Sequence, residues 1–92
     1  MRFEWDENKN KLNLEKHGVN FEDARFLFIN GFWSIEDKRR EYNERRFVGF
    51  GYVNNRLMCV VYVERKPNII RIISFRKANE REVKLYENNI KN

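Results

Sequence analysis

Apolar positions follow three rhythms along this chain, and each rhythm predicts an element. Between Asp6 and Lys16 only Leu12 and Leu14 are apolar, so the helix predicted there lies at the surface, with Trp5 anchoring its start. Asp6 is placed to cap it, because its carboxylate can accept from the free amides of the next turn, and Gly18 ends it where a left-handed residue is needed. A short strand over Phe3–Trp5 precedes it. From Phe21 the spacing tightens: Phe21, Ala24, Leu27 and Phe28 share one helical stripe, opened by Asn20 and Asp23 as a capping box and stopped at Asn30-Gly31. Period two then takes over. Phe32–Glu36, Arg45–Val53, Arg56–Glu64 and Ile69–Lys77 read as strands, and Asn79 with Glu82 opens a last helix in which Val83, Tyr86 and Ile90 recur at helical spacing.

Asn54-Asn55 tolerates the positive φ of a two-residue hairpin turn, which sets Gly51 opposite Met58, Val48 opposite Val61 and Arg45 opposite Glu64. A four-residue loop, Arg65 to Asn68 around Pro67, then brings Tyr62 opposite Arg71 and Cys59 opposite Ser74. Residues directly opposite point the same way. One face thus gathers Val48, Phe50, Leu57, Cys59, Val61, Val63, Ile70 and Ile72 as a core. The other carries Arg45, Phe47, Tyr62, Glu64 and Arg71 at one end and Met58, Val60, Ile73 and Phe75 at the other, half covered and half open. Gly49 and Gly51 on that second face leave room for a helix or for ligand backbone. Ile69–Lys77, with its β-branched density, is expected as a central strand covered on both sides. The order predicts an α+β domain over residues 1–92: a mostly antiparallel sheet, two N-terminal helices and a C-terminal helix.

Charge sharpens this picture. Residues 1–37 hold five Lys/Arg against eight Asp/Glu, a net −3, while residues 38–92 hold fourteen against six, a net +8. The basic half is the strand-rich half. Three of its cations, Arg71, Arg76 and Lys77, fall within seven residues of one strand, which suggests a site where anions arrive. A polyanion is the implied partner: nucleic acid first, an acidic protein second, an anionic membrane surface third, set against a merely solvated basic face. No stretch approaches the roughly 20 apolar residues of a membrane span, and MRFEWDENKN lacks the apolar run of a secretory signal, so a cytoplasmic protein is expected. A single cysteine, Cys59, and a single histidine, His17, exclude disulfide frameworks and zinc sites built from several such ligands. Cys59, mid-strand in LMCVV, reads as a small hydrophobe. His17 reads as a residue facing the negative end of its helix or as an acid or base. Tyr86 is core by its spacing or chemistry by its hydroxyl. Arg81 sits in a first turn, where a cation opposes the helix dipole, and that misfit hints at function.

Two stretches carry a family resemblance: WDENKNKLNLEKHGVNFEDA from Trp5 to Ala24, with Lys9, Asn13, Lys16-His17-Gly18-Val19, Phe21 and Ala24 in the expected places, and RIISFRKANEREVKLYE from Arg71 to Glu87. With the ED and ERRF segments between them, the chain resembles the BrnT toxins of bacterial type II toxin–antitoxin systems over essentially its whole length. The resemblance implies a RelE-like fold, a ribonuclease activity that halts translation, and neutralisation by a BrnA-type antitoxin in a heterotetramer of two toxins and two antitoxins. It also implies that operator DNA is bound by the antitoxin and not by this chain. No cofactor or metal is expected.

RNA is cleaved without metal when its 2′-OH attacks the adjacent phosphate, which needs a base, stabilisation of charge on phosphorus and a proton for the leaving oxygen. Arginine forks onto phosphate oxygens and stays charged at any relevant pH. Arg71 and Arg76 are the expected phosphate clamps, with Lys77 as a second cation or proton donor. Likeness to RelE-type nucleases adds Tyr86 and Arg81, the latter among RNA-binding residues with Arg45, Arg65 and Lys66. The base is open between Glu64, unless it pairs across strands with Arg45, and His17. Two other readings stand beside the nuclease: a noncatalytic RNA- or DNA-binding module, marked by exposed stacking aromatics such as Phe47 and Tyr62, and an interaction protein whose basic face docks an acidic partner.

Overall fold

A computed structural model describes residues 1–39, 41 and 43–90. The elements run β1 (Arg2–Glu4), α1 (Glu7–His17), a 3₁₀ turn (Phe21–Asp23), α2 (Ala24–Asn30), β2 (Phe32–Glu36), β3 (Arg46–Val53), β4 (Arg56–Lys66), β5 (Ile69–Lys77) and α3 (Glu80–Ile90). They build one five-stranded sheet in the order β1-β5-β4-β3-β2. Most of the expected elements are present. The sheet, however, is mixed and not mostly antiparallel, because β1 pairs parallel with β5 while β2, β3, β4 and β5 pair antiparallel in sequence. β5 is not the central strand either: β4 is, and β5 has β1 beside it only from Ile69 to Arg71. Among the described residues no helix is long and apolar enough to cross a membrane.

α1 begins and ends as its sequence dictates. The Asp6 carboxylate accepts from the Asn8 and Lys9 amides, and Gly18, at φ 74°, takes the left-handed turn. Its packing is less ordinary. Leu12 and Leu14 are exposed, and the residues it buries are Asn10 and Asn13. Asn10 accepts from the Phe21 amide at 2.9 Å and donates to the Asn20 side chain, tying α1 to the 3₁₀ turn. Asn13 donates to the Phe75 carbonyl at 2.7 Å and accepts from the Phe75 amide at 3.3 Å, so one carboxamide completes the backbone pairing of β5 where β1 has ended. Asn20 caps the 3₁₀ turn by accepting from Glu22, but Asp23 makes no capping bond to α2, so the expected box is absent. The stripe it was thought to open is real: Phe21, Ala24, Leu27 and Phe28 are all buried.

The β3–β4 register matches expectation, with Asn54 and Asn55 at φ 52° and 64° and Gly51 opposite Met58. Gly51 is where α2 comes closest, since a Cβ there would lie 3.0 Å from both the Gly31 carbonyl oxygen and Leu27 Cγ. Gly51→Val is therefore expected to cost about 2–4 kcal/mol through overpacking against backbone that cannot retreat, read as a lowered denaturation midpoint. Parental stability in that variant would mean that α2 is not seated on β3.

The β4–β5 register differs from the sequence reading. β4 runs on to Lys66, leaving a two-residue turn in which Asn68 adopts φ 72°, and shifts occur between Val61 and Tyr62 and between Glu64 and Lys66. Cys59 consequently faces Arg76 and not Ser74, and Tyr62 faces Ile72 and not Arg71. The β-bulge at Ile73 has a large consequence. Strict alternation would send residues 71 and 76 to opposite faces, but one extra residue between them restores the parity. Arg71, opposite Val63, and Arg76, opposite Cys59, therefore lie on one face.

The face read as half open is in fact the principal core. Met58, Val60, Tyr62, Ile70, Ile72 and Phe75 pack there against Phe21, Leu27 and Phe28. Tyr62 is 2 % exposed, with Phe47 stacked on it at 5.6 Å, so the two form a buried pair and not an exposed platform for bases. The other face holds a smaller cluster, Phe50, Leu57, Cys59 and Ala78, with Val83 and Tyr86 of α3 packed against it. Helix α3 buries no residue fully, and Ile90, expected on its apolar stripe, is half exposed.

Candidate functional site

The beginning of α3 is fixed by reciprocal bonds: the Glu82 amide donates to Asn79 Oδ1 and the Asn79 amide donates to Glu82 Oε1, each at 2.9 Å. This is the capping box that the sequence announces. The same carboxylate has a second partner. Arg76 Nη1 and Nη2 fork onto Glu82 Oε1 and Oε2 at 2.8 Å each, which ties the end of β5 to the first turn of α3. Each group stabilises the charged form of the other: Arg76 holds the Glu82 carboxyl below its ordinary range, and Glu82 raises the already high proton affinity of Arg76.

Across from this pair, the connection after β2 supplies a second one. The Asp37 side chain is 2 % exposed and accepts from Arg39 Nε at 2.9 Å and Nη2 at 2.8 Å. Its backbone amide donates to the Arg46 carbonyl at 2.7 Å, so the pair is anchored to β3. Arg39 lies close enough to Arg76 for its charge to weigh against that of Arg76. Between the pairs opens a cleft of about 410 Å³, floored by Ile35, Val48, Phe50, Val61 and Leu85 and rimmed by Glu36, Asp37, Lys38, Arg39, Arg76, Arg81 and Glu82. Two guanidiniums held by carboxylates, with a third beside them, make a preorganised anion site above an apolar floor.

The expected site residues divide between this cleft and the rest of the molecule. Arg76 and Arg81 line it. Arg71 shares its face through the bulge, but lies beyond the cleft, bonded to Glu4 at 3.1 Å. Lys77 is opposite Met58, hence on the other face. Glu64 is exposed opposite Ile70 on that same face, away from the cleft. The expected Arg45–Glu64 ion pair is replaced by Arg45–Glu36 at 2.9 Å, with Arg45 also 5.2 Å above the Phe47 ring. The reason is that β2 pairs with the free edge of β3 and sets Glu36 opposite Phe47, two residues from Arg45. Arg65 bonds Glu44 at 3.2 Å, and Lys66 is exposed at the β4–β5 turn. Tyr86 packs edge-on against Tyr52 at 5.8 Å and does not line the cleft.

His17 is exposed at the end of α1. Partial desolvation, then Lys16 and Arg76, hold its imidazole below the ordinary value, so it is neutral at pH 7 despite the helix end beside it. Cys59 is 1 % exposed and burial pushes its thiol up to about 11, the behaviour of an inert small hydrophobe. Sequence reasoning missed Asp37, Arg39 and the second role of Glu82. The only available signal was an acidic residue two positions before Arg39 in a polar connection, and an N3 glutamate that capping already explained.

The comparisons with known proteins agree with this fold. The family model described as "Ribonuclease toxin, BrnT, of type II toxin-antitoxin system" matches residues 5–82. The crystal structure of the Brucella abortus ribonuclease toxin BrnT, at 1.1 Å resolution, superposes with a TM-score of 0.70 at 26 % identity, covering 87 % of this chain and 99 % of that one. Among curated proteins no significant sequence match was found. With a model of that family matching most of its length, the chain belongs to the BrnT family of ribonuclease toxins of type II toxin–antitoxin systems.

Proposed function

We propose that the cleft between α3 and the 37–39 connection is the catalytic centre of a metal-independent endoribonuclease that cuts RNA by attack of its own 2′-OH and so inhibits translation. The observation that carries this reading is the forked Arg76–Glu82 pair, with Arg81 beside it, on the rim of an open cleft. A phosphate entering there meets Arg76, whose Nε is turned away from the fork onto Glu82, and Arg81, which makes no ion pair among the described residues. Ile35, Val48, Val61 and Leu85 offer apolar contact to an unstacked base, which favours single-stranded RNA. Arg71 extends the basic track along the same face toward a neighbouring phosphate. Lys77, Glu64, Tyr86, Arg45, Arg65 and Lys66 lie outside the cleft and are given no catalytic part in this reading.

The remaining expectations rest on family membership: a BrnA-type antitoxin, a complex of two toxins with two antitoxins, action in the cytoplasm, kinship with RelE-type toxins, and operator binding left to the antitoxin. The reading is tested by incubating the antitoxin-free protein with labelled total RNA in EDTA, beside an Arg76→Ala control of equal folded content. Cleavage by the parent alone supports it. Equal cleavage by both removes the cleft from the reaction. Silence from both, repeated with translating ribosomes, removes the nuclease itself.

A further inference from the structure

Resting on that reading, the structure supplies what the sequence left open, a base for the reaction. We propose that Glu82 is the group that takes the proton from the attacking 2′-OH. It is the carboxylate in direct contact with Arg76, and its side chain, 17 % exposed, opens onto the cleft. Of its acceptor positions, Oε1 is engaged by the Asn79 amide and by Arg76 Nη1, while Oε2 is engaged by Arg76 Nη2 alone and keeps one lone pair for a further donor. A phosphate bound to Arg76 brings its neighbouring 2′-OH to that oxygen.

Every other carboxylate is less suited. Asp37 is buried and engaged by Arg39, Glu36 is held by Arg45, Glu4 is held by Arg71, and Glu64 faces away from the cleft. The charged groups around Glu82 favour its ionised form at rest: Arg76 from β5, Arg81 from its own helix and, across the cleft, Arg39, with the buried Cys59 thiol of β4 beneath. As an arriving phosphate draws Arg76 toward itself, the carboxylate loses part of the partner that suppresses its proton affinity, so its basicity rises when a proton is to be taken.

The step balances without any co-reactant beyond water. The O2′–H proton passes to Glu82 Oε2 while O2′ bonds to phosphorus. The P–O5′ bond breaks with its electron pair on O5′, which takes a proton from water in the open cleft. The resulting hydroxide removes the proton from Glu82. The products are a 2′,3′-cyclic phosphate and a 5′-hydroxyl, and Arg76 stabilises the charge that gathers on the phosphoryl oxygens.

The test compares parent and Glu82→Gln on a 5′-fluorescein-labelled single-stranded RNA of mixed sequence in EDTA, with kcat followed from pH 4 to 8. Glutamine keeps the capping box and one acceptor for Arg76, so the variant folds, which circular dichroism checks. The expected loss in kcat at pH 7 is about 100- to 1000-fold, and the acidic limb of the parent profile, of unit slope, is absent from the variant. A merely structural Glu82 predicts otherwise: kcat within about threefold of parent and the acidic limb intact, which overturns the proposal. A parent that cuts no RNA, free or on ribosomes, removes the reaction and the proposal together. A parent that cuts as well as its variant removes the proposal alone.

Discussion

Replacing Asn13 with leucine is expected to destabilise the fold by about 2–4 kcal/mol and to lower its thermal midpoint by about 10–20 °C. β1 reaches only as far as Glu4 opposite Arg71, so beyond that point the outer edge of β5 has no strand beside it. Asn13, 8 % exposed, fills that place by bonding both the amide and the carbonyl of Phe75. Leucine has nearly the same volume and satisfies neither group, leaving a buried donor and a buried acceptor unpaired at about 1–3 kcal/mol each. Leu12→Ala, one position away on the same helix, removes a larger apolar side chain from a site 65 % exposed and is expected to change stability by less than about 0.5 kcal/mol. Denaturant melts of the two variants decide the matter: if Asn13→Leu is as stable as the parent, the carboxamide is not what closes the strand edge.

That inversion, polar residues inside and leucines outside, explains why α1 was only half legible. Its caps were plain, because Asp6 and Gly18 act through local geometry that sequence spacing encodes. Its buried face was not, because hydrophobic periodicity is blind to a helix held by carboxamides against backbone. The Asn54-Asn55 hairpin was legible for the same local reason. The β4–β5 pairing was not, since a bulge arises from how two strands and their coverings fit and has no residue type that announces it. Ile73 looks like one more β-branched strand residue, yet it decides which face Arg71 and Arg76 share. The parallel β1–β5 pairing joins residues more than sixty positions apart and left no mark in the pattern.

The site was legible to a similar degree. A phosphate-binding arginine on the last strand followed from residue type and charge, and Arg76 and Arg81 do line the cleft. Lys77 and Glu64 were drawn in by proximity in sequence or by an assumed register, and the pairing of β4 with β5 puts both on the other face. Glu82 was hidden by its own success as a capping residue. One carboxylate that closes a helix and also grips an arginine is recognised only when β5 and α3 are seen together.

Arg76→Ala is expected to lower kcat/KM on RNA by about 100- to 1000-fold, the loss typical of removing a preorganised donor from a developing oxyanion. Stability should fall by only about 1–2 kcal/mol, because Glu82 keeps its bond from the Asn79 amide and is not sealed from water. Arg76→Lys retains the charge but not the fork, and is expected to recover at most about tenfold of that loss. Arg71→Ala should behave differently. Arg71 lies beyond the cleft and is held by Glu4, so its removal weakens a flanking phosphate contact. The expected signature is a KM raised about 3- to 10-fold with kcat nearly unchanged, and a salt dependence of binding shallower by about one ion. Single-turnover cleavage of one labelled RNA by the three variants separates these effects. A larger loss of kcat from Arg71→Ala than from Arg76→Ala would move the reacting phosphate out of the cleft, to the end of the sheet where β1 meets β5.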